Sequence, residues 1–195
     1  MDNLIFATNN ANKVTEISNM LGDLFHIQTL QDLGIQEDIP ETGKTFQENA
    51  AQKCHFIHDR FHVHCFADDS GLEVEALNGD PGIYSARYSG SRNMDRNIQL
   101  LLENLKHTTH RKAAFRTAIC LIYKGDEYFF EGRVEGEITL APKGSNGFGY
   151  DPIFIPDGYT QTFAEMEAKE KDSISHRAIA VAKLVQFLLG TSGTS

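Results

Sequence analysis

Positive charge is scarce in this sequence: 18 Lys and Arg residues stand against 27 Asp and Glu, for a formal net charge of −9. Proteins that grip a nucleic-acid polymer carry a basic stripe, so no such polymer is an expected partner. A small anion remains open, because a few placed lysines and a divalent cation can hold one. Long apolar runs are also missing. No segment approaches the roughly 18 consecutive apolar residues of a membrane-spanning helix. The opening residues, MDNLIFATNN, have neither a basic stretch nor a small-residue cleavage site, so no signal peptide is expected and the reading is cytoplasmic. Cysteine is sparse. Cys54, Cys65 and Cys120 have no CxxC spacing and read as reduced, buried thiols rather than a disulfide frame or a zinc site.

What is present is ordinary globular material, 41% apolar, in an α/β order. Leu4–Ala7 reads as a buried strand, the polar run Thr8–Lys13 as a turn, and Val14, Ile17, Met20 and Leu21 as one face of a helix. Residues 25–30 form a second strand and residues 31–44 a loop. Thr45 with Glu48 makes a capping-box pattern for a helix from Phe46 to about Arg60. Val63–Ala67 reads as a strand that stops at Asp68-Asp69-Ser70-Gly71, with a new strand over 72–77. Gly79-Asp80-Pro81-Gly82 is a turn. Asp95–Leu105 is helical, and Ala113–Tyr123 with Glu127–Leu140 forms a hairpin about Lys124-Gly125-Asp126. Ser173 caps a last helix that carries Ile174, Ala178, Val181, Val185 and Leu188 inward and stops at Gly190. The tail TSGTS is expected to fray. The pattern predicts one α/β domain over 1–195, a mixed sheet with helices on both faces, and two lobes with a cleft between them, the second lobe roughly 72–140.

Four segments carry chemistry, and each has a plainer reading. Thr8–Lys13 leads into a helix N-terminus, which attracts phosphate, or it is a common polar loop with a surface lysine. Asp68-Asp69 ends a hydrophobic strand, where ligands bind in open α/β sheets, or it is a solvated turn. Adjacent side chains on a strand point to opposite faces, so the two aspartates are not expected to clamp one ion together. Ser175-His176-Arg177 offers donors for a carbonyl or phosphate, or is a solvated helix end. Gly147–Pro152 brings aromatics for stacking and glycines for close approach, or is a plain loop. His55, His58, His62 and His64 fit no standard zinc spacing and read as a solvated helix end.

Taken together, Thr8-x-Asn10-x-x-Lys13-x-x-Glu16, Glu41-Thr42-Gly43-x-Thr45-Phe46-x-Glu48-Asn49-Ala50, Ala67–Leu72, Pro81–Tyr88, Phe148–Pro152 and Ser175–Arg177 occur in order. In this combination the chain resembles the inosine/xanthosine triphosphate pyrophosphatase family, Ham1-like and of bacterial type, from Leu4 to about Leu189. The resemblance implies an elongated α/β fold with a nucleotide cleft, a homodimer, and Mg²⁺-dependent hydrolysis of ITP, dITP and XTP to monophosphate and pyrophosphate, which cleanses the nucleotide pool. It implies that Thr8, Asn9, Asn10, Ala11, Asn12 and Lys13 bind the triphosphate, with Lys53 as a further phosphate-binding lysine. It implies Asp69 as proton acceptor and metal ligand, Glu41 as second metal ligand, and Ser70 as a substrate contact. Phe148, Gly149, Tyr150, Asp151, Lys171, His176 and Arg177 would form the base and phosphate pocket, with Arg177 or His176 donating to the 6-keto oxygen. Asn9 departs from the glycine many members carry, so its side chain either crowds the phosphates or turns away. Rival readings are a pyrophosphatase for modified pyrimidine triphosphates, a nucleotide-binding module without turnover, and a histidine-rich metal-binding protein.

Overall fold

The computed structural model describes residues 3–21 and 25–192. Strands β1 (Asn3–Phe6), β2 (His26–Thr29), β3 (Cys65–Val74), β4 (Lys112–Tyr123), β5 (Asp126–Ile138) and β6 (Phe154–Pro156) form one mixed sheet in the order β2-β1-β3-β4-β5-β6. β1 runs parallel to β2 and β3, whereas β6 is antiparallel to β5. The helices are α1 (Ala11–Leu21), α2 (Phe46–Phe61), α3 (Met94–Asn104), α4 (Ala168–Ile174) and α5 (His176–Ser192). Among the described residues no helix is long and apolar enough to cross a membrane.

The chain divides into two compact units. The first comprises Met1–Asp69, Thr117–Gly132 and Arg177–Ser195, and the second Ser70–Arg116 and Arg133–His176. Strands β3, β4 and β5 each contribute residues to both units.

In the first unit the period-two rule for strands sorts the core. Leu4, Phe6, Phe66, Ile119, Leu121 and Tyr123 share a cluster with Ile17 and Leu21 of α1 and with Ala180, Val181, Leu184 and Leu188 of α5. The alternate residues Ile5, Ala7, Cys65, Ala67, Cys120 and Ile122 share a cluster with Ala50, Cys54 and Ile57 of α2. One sheet face thus packs on α1 and α5, the other on α2. Continued along β3, the alternation puts Asp68 on the α1/α5 side and Asp69 on the α2 side. The second unit has its own core, in which Leu72, Ile98, Leu101, Phe115, Phe154 and Phe163 meet.

Four sequence expectations change. β3 does not stop at Ala67 but runs unbroken through Asp68-Asp69-Ser70-Gly71. The turn preference of those residues yields because both carboxylates find buried cationic or amide partners. Ser173 is not the cap of the last helix: it lies in α4, its hydroxyl donates to the Glu170 carbonyl, and the break falls at Ser175, whose backbone is extended. The helix that follows passes Gly190, since one glycine costs only about 1 kcal/mol in a helix. Thr45 does cap α2 by accepting from the Glu48 amide, but the Glu48 carboxylate accepts from the Lys44 amide, one residue earlier than a capping box requires. The hairpin turn is Lys124-Gly125, both at positive φ, the conformation a two-residue hairpin demands. Of the expected frayed tail, residues 193–195 lie outside the described residues.

Candidate active site

The first unit gathers charged side chains around the middle of β3, and Asp68 is the hub. Its carboxylate is 0% exposed and accepts from Lys13 Nζ at 2.9 Å and Arg177 Nε at 3.4 Å. Arg177, itself 2% exposed, also pairs through Nη1 with Glu16 of α1. These partners come from α1 and α5, the helices that cover that face of the sheet. Burial would raise the Asp68 pKa, but Lys13 and Arg177 more than offset it and hold the carboxyl well below the usual range. The backbone carbonyl of Asp68 accepts from Lys53 Nζ at 2.7 Å. One residue therefore organises all three cations of the cluster.

Asp69 faces α2. Its Oδ2 accepts from Asn49 Nδ2 at 2.9 Å. Lys53, one turn further along α2, donates to Glu41 Oε1 at 2.6 Å. Burial raises the Asp69 pKa, with Lys53 and Lys13 pulling the other way. For Lys53 burial pulls the pKa down, yet Asp69, Glu41 and Asp68 together carry it above its ordinary value. Lys13 goes the other way: burial, aided by Lys53 and Arg177, outweighs Asp68 and lowers it. Glu41 and Asp69 thus flank one ammonium group. Two carboxylates with hard oxygen donors suit Mg²⁺, which takes one or two carboxylates and completes its shell with water and substrate phosphate. The raised pKa of buried Asp69 fits as well, since a cation there would stabilise its charged form.

The loop that carries Glu41 is held against α2 by close backbone approach. Gly43 N donates to Asn49 Oδ1 at 2.8 Å, and a Cβ on Gly43 would lie 2.6 Å from Glu48 Cβ. Gly43→Ala is therefore expected to destabilise the fold by about 1–3 kcal/mol, the usual cost of overpacking, and urea unfolding measures it.

Thr8, Asn9, Asn10, Ala11 and Asn12 connect β1 to α1. Asn10 Oδ1 accepts from the amides of Asn12 at 3.0 Å and Lys13 at 3.3 Å. The helix N-terminus, read from sequence as a set of open amides, is in part capped by its own chain. Asn9 Nδ2 donates to the Glu37 carbonyl at 3.1 Å, which commits its side chain to the neighbouring loop.

The second unit holds the other expected residues. Asp151 Oδ2 accepts from Lys171 Nζ at 2.6 Å and from the Phe148 amide at 2.8 Å. Lys171 Nζ lies 4.8 Å from the Phe148 ring centre, so one buried ion pair positions the aromatic loop and places a cation under its ring. Gly147 is required: at φ +71 its Cβ would sit 2.1 Å from Asp151 Oδ2. Tyr150 is buried and donates its hydroxyl to the Ser85 carbonyl. His176 stacks on Phe115 with ring centres 4.7 Å apart. Ser70 is half-buried, next to Asp69 in the chain. His176 and Arg177 are buried, so the solvated-helix-end reading of that segment fails.

The histidine run does not assemble. His55 pairs with Glu127 at 2.7 Å, His58 meets the Val63 carbonyl, and His64 lies against Tyr123. Among the described residues no group of three or more His, Cys, Asp or Glu side chains is placed to hold a metal ion. Cys54, Cys65 and Cys120 are reduced and buried, as read from sequence.

Two members of the cluster carried no assigned role in the sequence reading. Asn49 and Glu16 stand in the quoted motifs, but an amide or carboxylate at helical spacing gives no sign of its partner. Helical position was the available signal: Asn49 is four residues before Lys53, so the two share a helix face.

A family model described as the Ham1 family matches residues 4–187. A dITP/XTP pyrophosphatase of Porphyromonas gingivalis is 53% identical over 191 residues, covering 97% of this chain and 98% of the relative. A dITP/XTP pyrophosphatase of Flavobacterium johnsoniae is 47% identical, covering 96% and 98%. Among solved structures, a HAM1 protein from Coxiella burnetii superposes with a TM-score of 0.90 at 37% identity, covering 97% of this chain and all of that one. The Staphylococcus aureus Ham1 protein gives 0.88 at 40% identity, covering 97% and 99%.

Proposed function

This chain belongs to the Ham1 family, and from that membership we propose that it hydrolyses ITP, dITP and XTP to the monophosphate and pyrophosphate with Mg²⁺ as cofactor. It is an enzyme, a nucleoside triphosphate pyrophosphatase acting on deaminated purine nucleotides. The observation that carries the metal-dependent chemistry is that α2 gathers Glu41 and Asp69, through Lys53 to the one and Asn49 to the other. Two carboxylates and a lysine at one place serve a divalent cation and a polyphosphate together.

Glu41 and Asp69 would hold the metal. When bound, Mg²⁺ neutralises phosphate charge and makes water a better nucleophile. Asp69 accepts the proton of the attacking water. Lys53 and Lys13 offset charge on the phosphate oxygens as the α–β bond breaks. Thr8, Asn9, Asn10, Ala11, Asn12 and Ser70 complete the triphosphate contacts. Phe148, Gly149, Tyr150, Asp151 and Lys171 take the base, with the Phe148 ring as the stacking surface. His176 and Arg177 serve the 6-keto group that distinguishes hypoxanthine and xanthine from adenine. A donor that loses its partner in the competing base gives strong discrimination. Two of Arg177's nitrogens are engaged by Asp68 and Glu16, so this donor role falls more heavily on His176. The family resemblance also supports a homodimer working in the cytoplasm.

A triphosphate panel tests the proposal: ITP, dITP, XTP, ATP, GTP and modified pyrimidine triphosphates, each with Mg²⁺ and with EDTA. Deaminated purines should exceed ATP in kcat/KM by about four orders of magnitude, the range that an unpaired polar group in a site produces. EDTA should abolish turnover. A modified pyrimidine as best substrate, or full turnover in EDTA, refutes the proposal.

A further inference from the structure

Asn49 is 1% exposed and spends both ends of its amide. Its Oδ1 accepts from the Gly43 backbone N–H at 2.8 Å, and its Nδ2 donates to Asp69 Oδ2 at 2.9 Å. The amide's orientation follows from its partners: a backbone N–H can only donate and a carboxylate accepts. The Gly43 loop carries Glu41 two residues earlier. One side chain on α2 therefore ties the segment of one acidic residue to the carboxylate of the other. Gln52, on the same helix face, accepts from the Thr42 amide at 2.9 Å. Lys53 reaches Glu41. Residues 49, 52 and 53 thus dock the loop together, and Asn49 joins it to the Asp69 carboxylate.

Resting on the metal assignment above, we propose that Asn49 is a positioning residue: it holds Asp69 and the Glu41 loop at the spacing that a divalent cation requires. A ligating carboxylate is oriented by its hydrogen-bond partner, and loss of such a partner costs roughly 10- to 100-fold in metal affinity or activity.

The test compares wild type, Asn49→Ala, Asn49→Asp and Gln52→Ala. Asn49→Ala removes both hydrogen bonds. Asn49→Asp keeps an oxygen for Gly43 and so preserves the loop contact, but has no donor for Asp69. Two quantities are read: Mn²⁺ affinity of nucleotide-free protein by electron paramagnetic resonance, and kcat and KM on ITP. Asn49→Ala should weaken Mn²⁺ binding roughly 10- to 100-fold. Both Asn49 variants should lower kcat by a similar factor with KM for ITP nearly unchanged, the pattern of a contact that matters in the reacting complex rather than in substrate binding. Gln52→Ala should lose clearly less than the Asn49 variants in both readouts, because it loosens the same loop but leaves the Asn49 hydrogen bond to Asp69 in place. Equal Mn²⁺ affinity and kcat in wild type and the Asn49 variants overturns the inference, as does an equal loss in Gln52→Ala. If Asn49→Ala fails to fold, the kcat and KM of Asn49→Asp decide. Should wild type itself neither bind Mn²⁺ nor turn over ITP, the functional assignment has failed instead.

Discussion

Asp69→Asn is expected to lower kcat on ITP by about 10²-fold or more while the protein stays folded, the usual loss when a general base is removed. The amide can keep the Asn49 hydrogen bond, because its oxygen accepts from Asn49 Nδ2 as the carboxylate does at 2.9 Å. The variant loses the negative charge that would hold a cation and the lone pair that takes the proton of water. Asp69 has a raised pKa because burial penalises its charge, so neutralising it removes a cost from the folded state. Stability should therefore hold or rise while turnover collapses. Steady-state kinetics with ITP and a thermal melt on the same preparation check both halves. Near-normal turnover would take Asp69 out of the chemistry.

Asp68→Asn should do the opposite and act first on stability. The carboxylate is wholly buried between Lys13 and Arg177, and those cations reach the sheet from α1 and α5. Removing one partner of a buried ion pair leaves the other charged and desolvated, which costs about 3–5 kcal/mol. At roughly 2–4 °C per kcal/mol for a chain of this size, the melting temperature should fall by about 6–20 °C. The sign with pH follows from the depressed pKa. Asp68 ionises more readily in the folded than in the unfolded chain, so its stabilisation is complete above its ordinary value of 3.8. It is lost as pH falls below that value toward the folded one. The gap between wild type and Asp68→Asn should therefore be widest near neutral pH and shrink below about pH 4. A constant gap across that range would mean that Asp68 contributes by shape rather than charge.

The division between the two aspartates was partly legible in the sequence. Leu4–Ala7 and Cys65–Ala67 are unbroken apolar runs, the mark of strands buried on both faces, and adjacent strand residues must face opposite ways. That rule alone separates Asp68 from Asp69, and the two clusters flanking the sheet bear it out. The capping threonine, the hairpin at Lys124-Gly125 and the last amphipathic helix were legible for similar local reasons. The unbroken course of β3 was not. Asp-Asp-Ser-Gly has the local chemistry of a turn, and Lys13, Lys53, Arg177 and Asn49, all distant in sequence, overrule it. Asn49 and Glu16 were hidden for the same cause: an amide or carboxylate on a helix shows its partner only after the helices have docked on the sheet. The break at Ser175 was missed because Ser173 offered an equally good cap. The functional assignment rested on ordered motifs spread over the whole chain, each of them weak when read alone.

The proposed reaction cleaves the bond between the α- and β-phosphates, at a site where Glu41, Asp69, Lys13 and Lys53 would act together. Phosphorus-31 NMR of dITP incubated with the protein in magnesium buffer reads which bond breaks. The triphosphate signals should give way to those of pyrophosphate and the monophosphate in equal amounts. Release of orthophosphate with a diphosphate product, or a triphosphate spectrum that does not change, would contradict it.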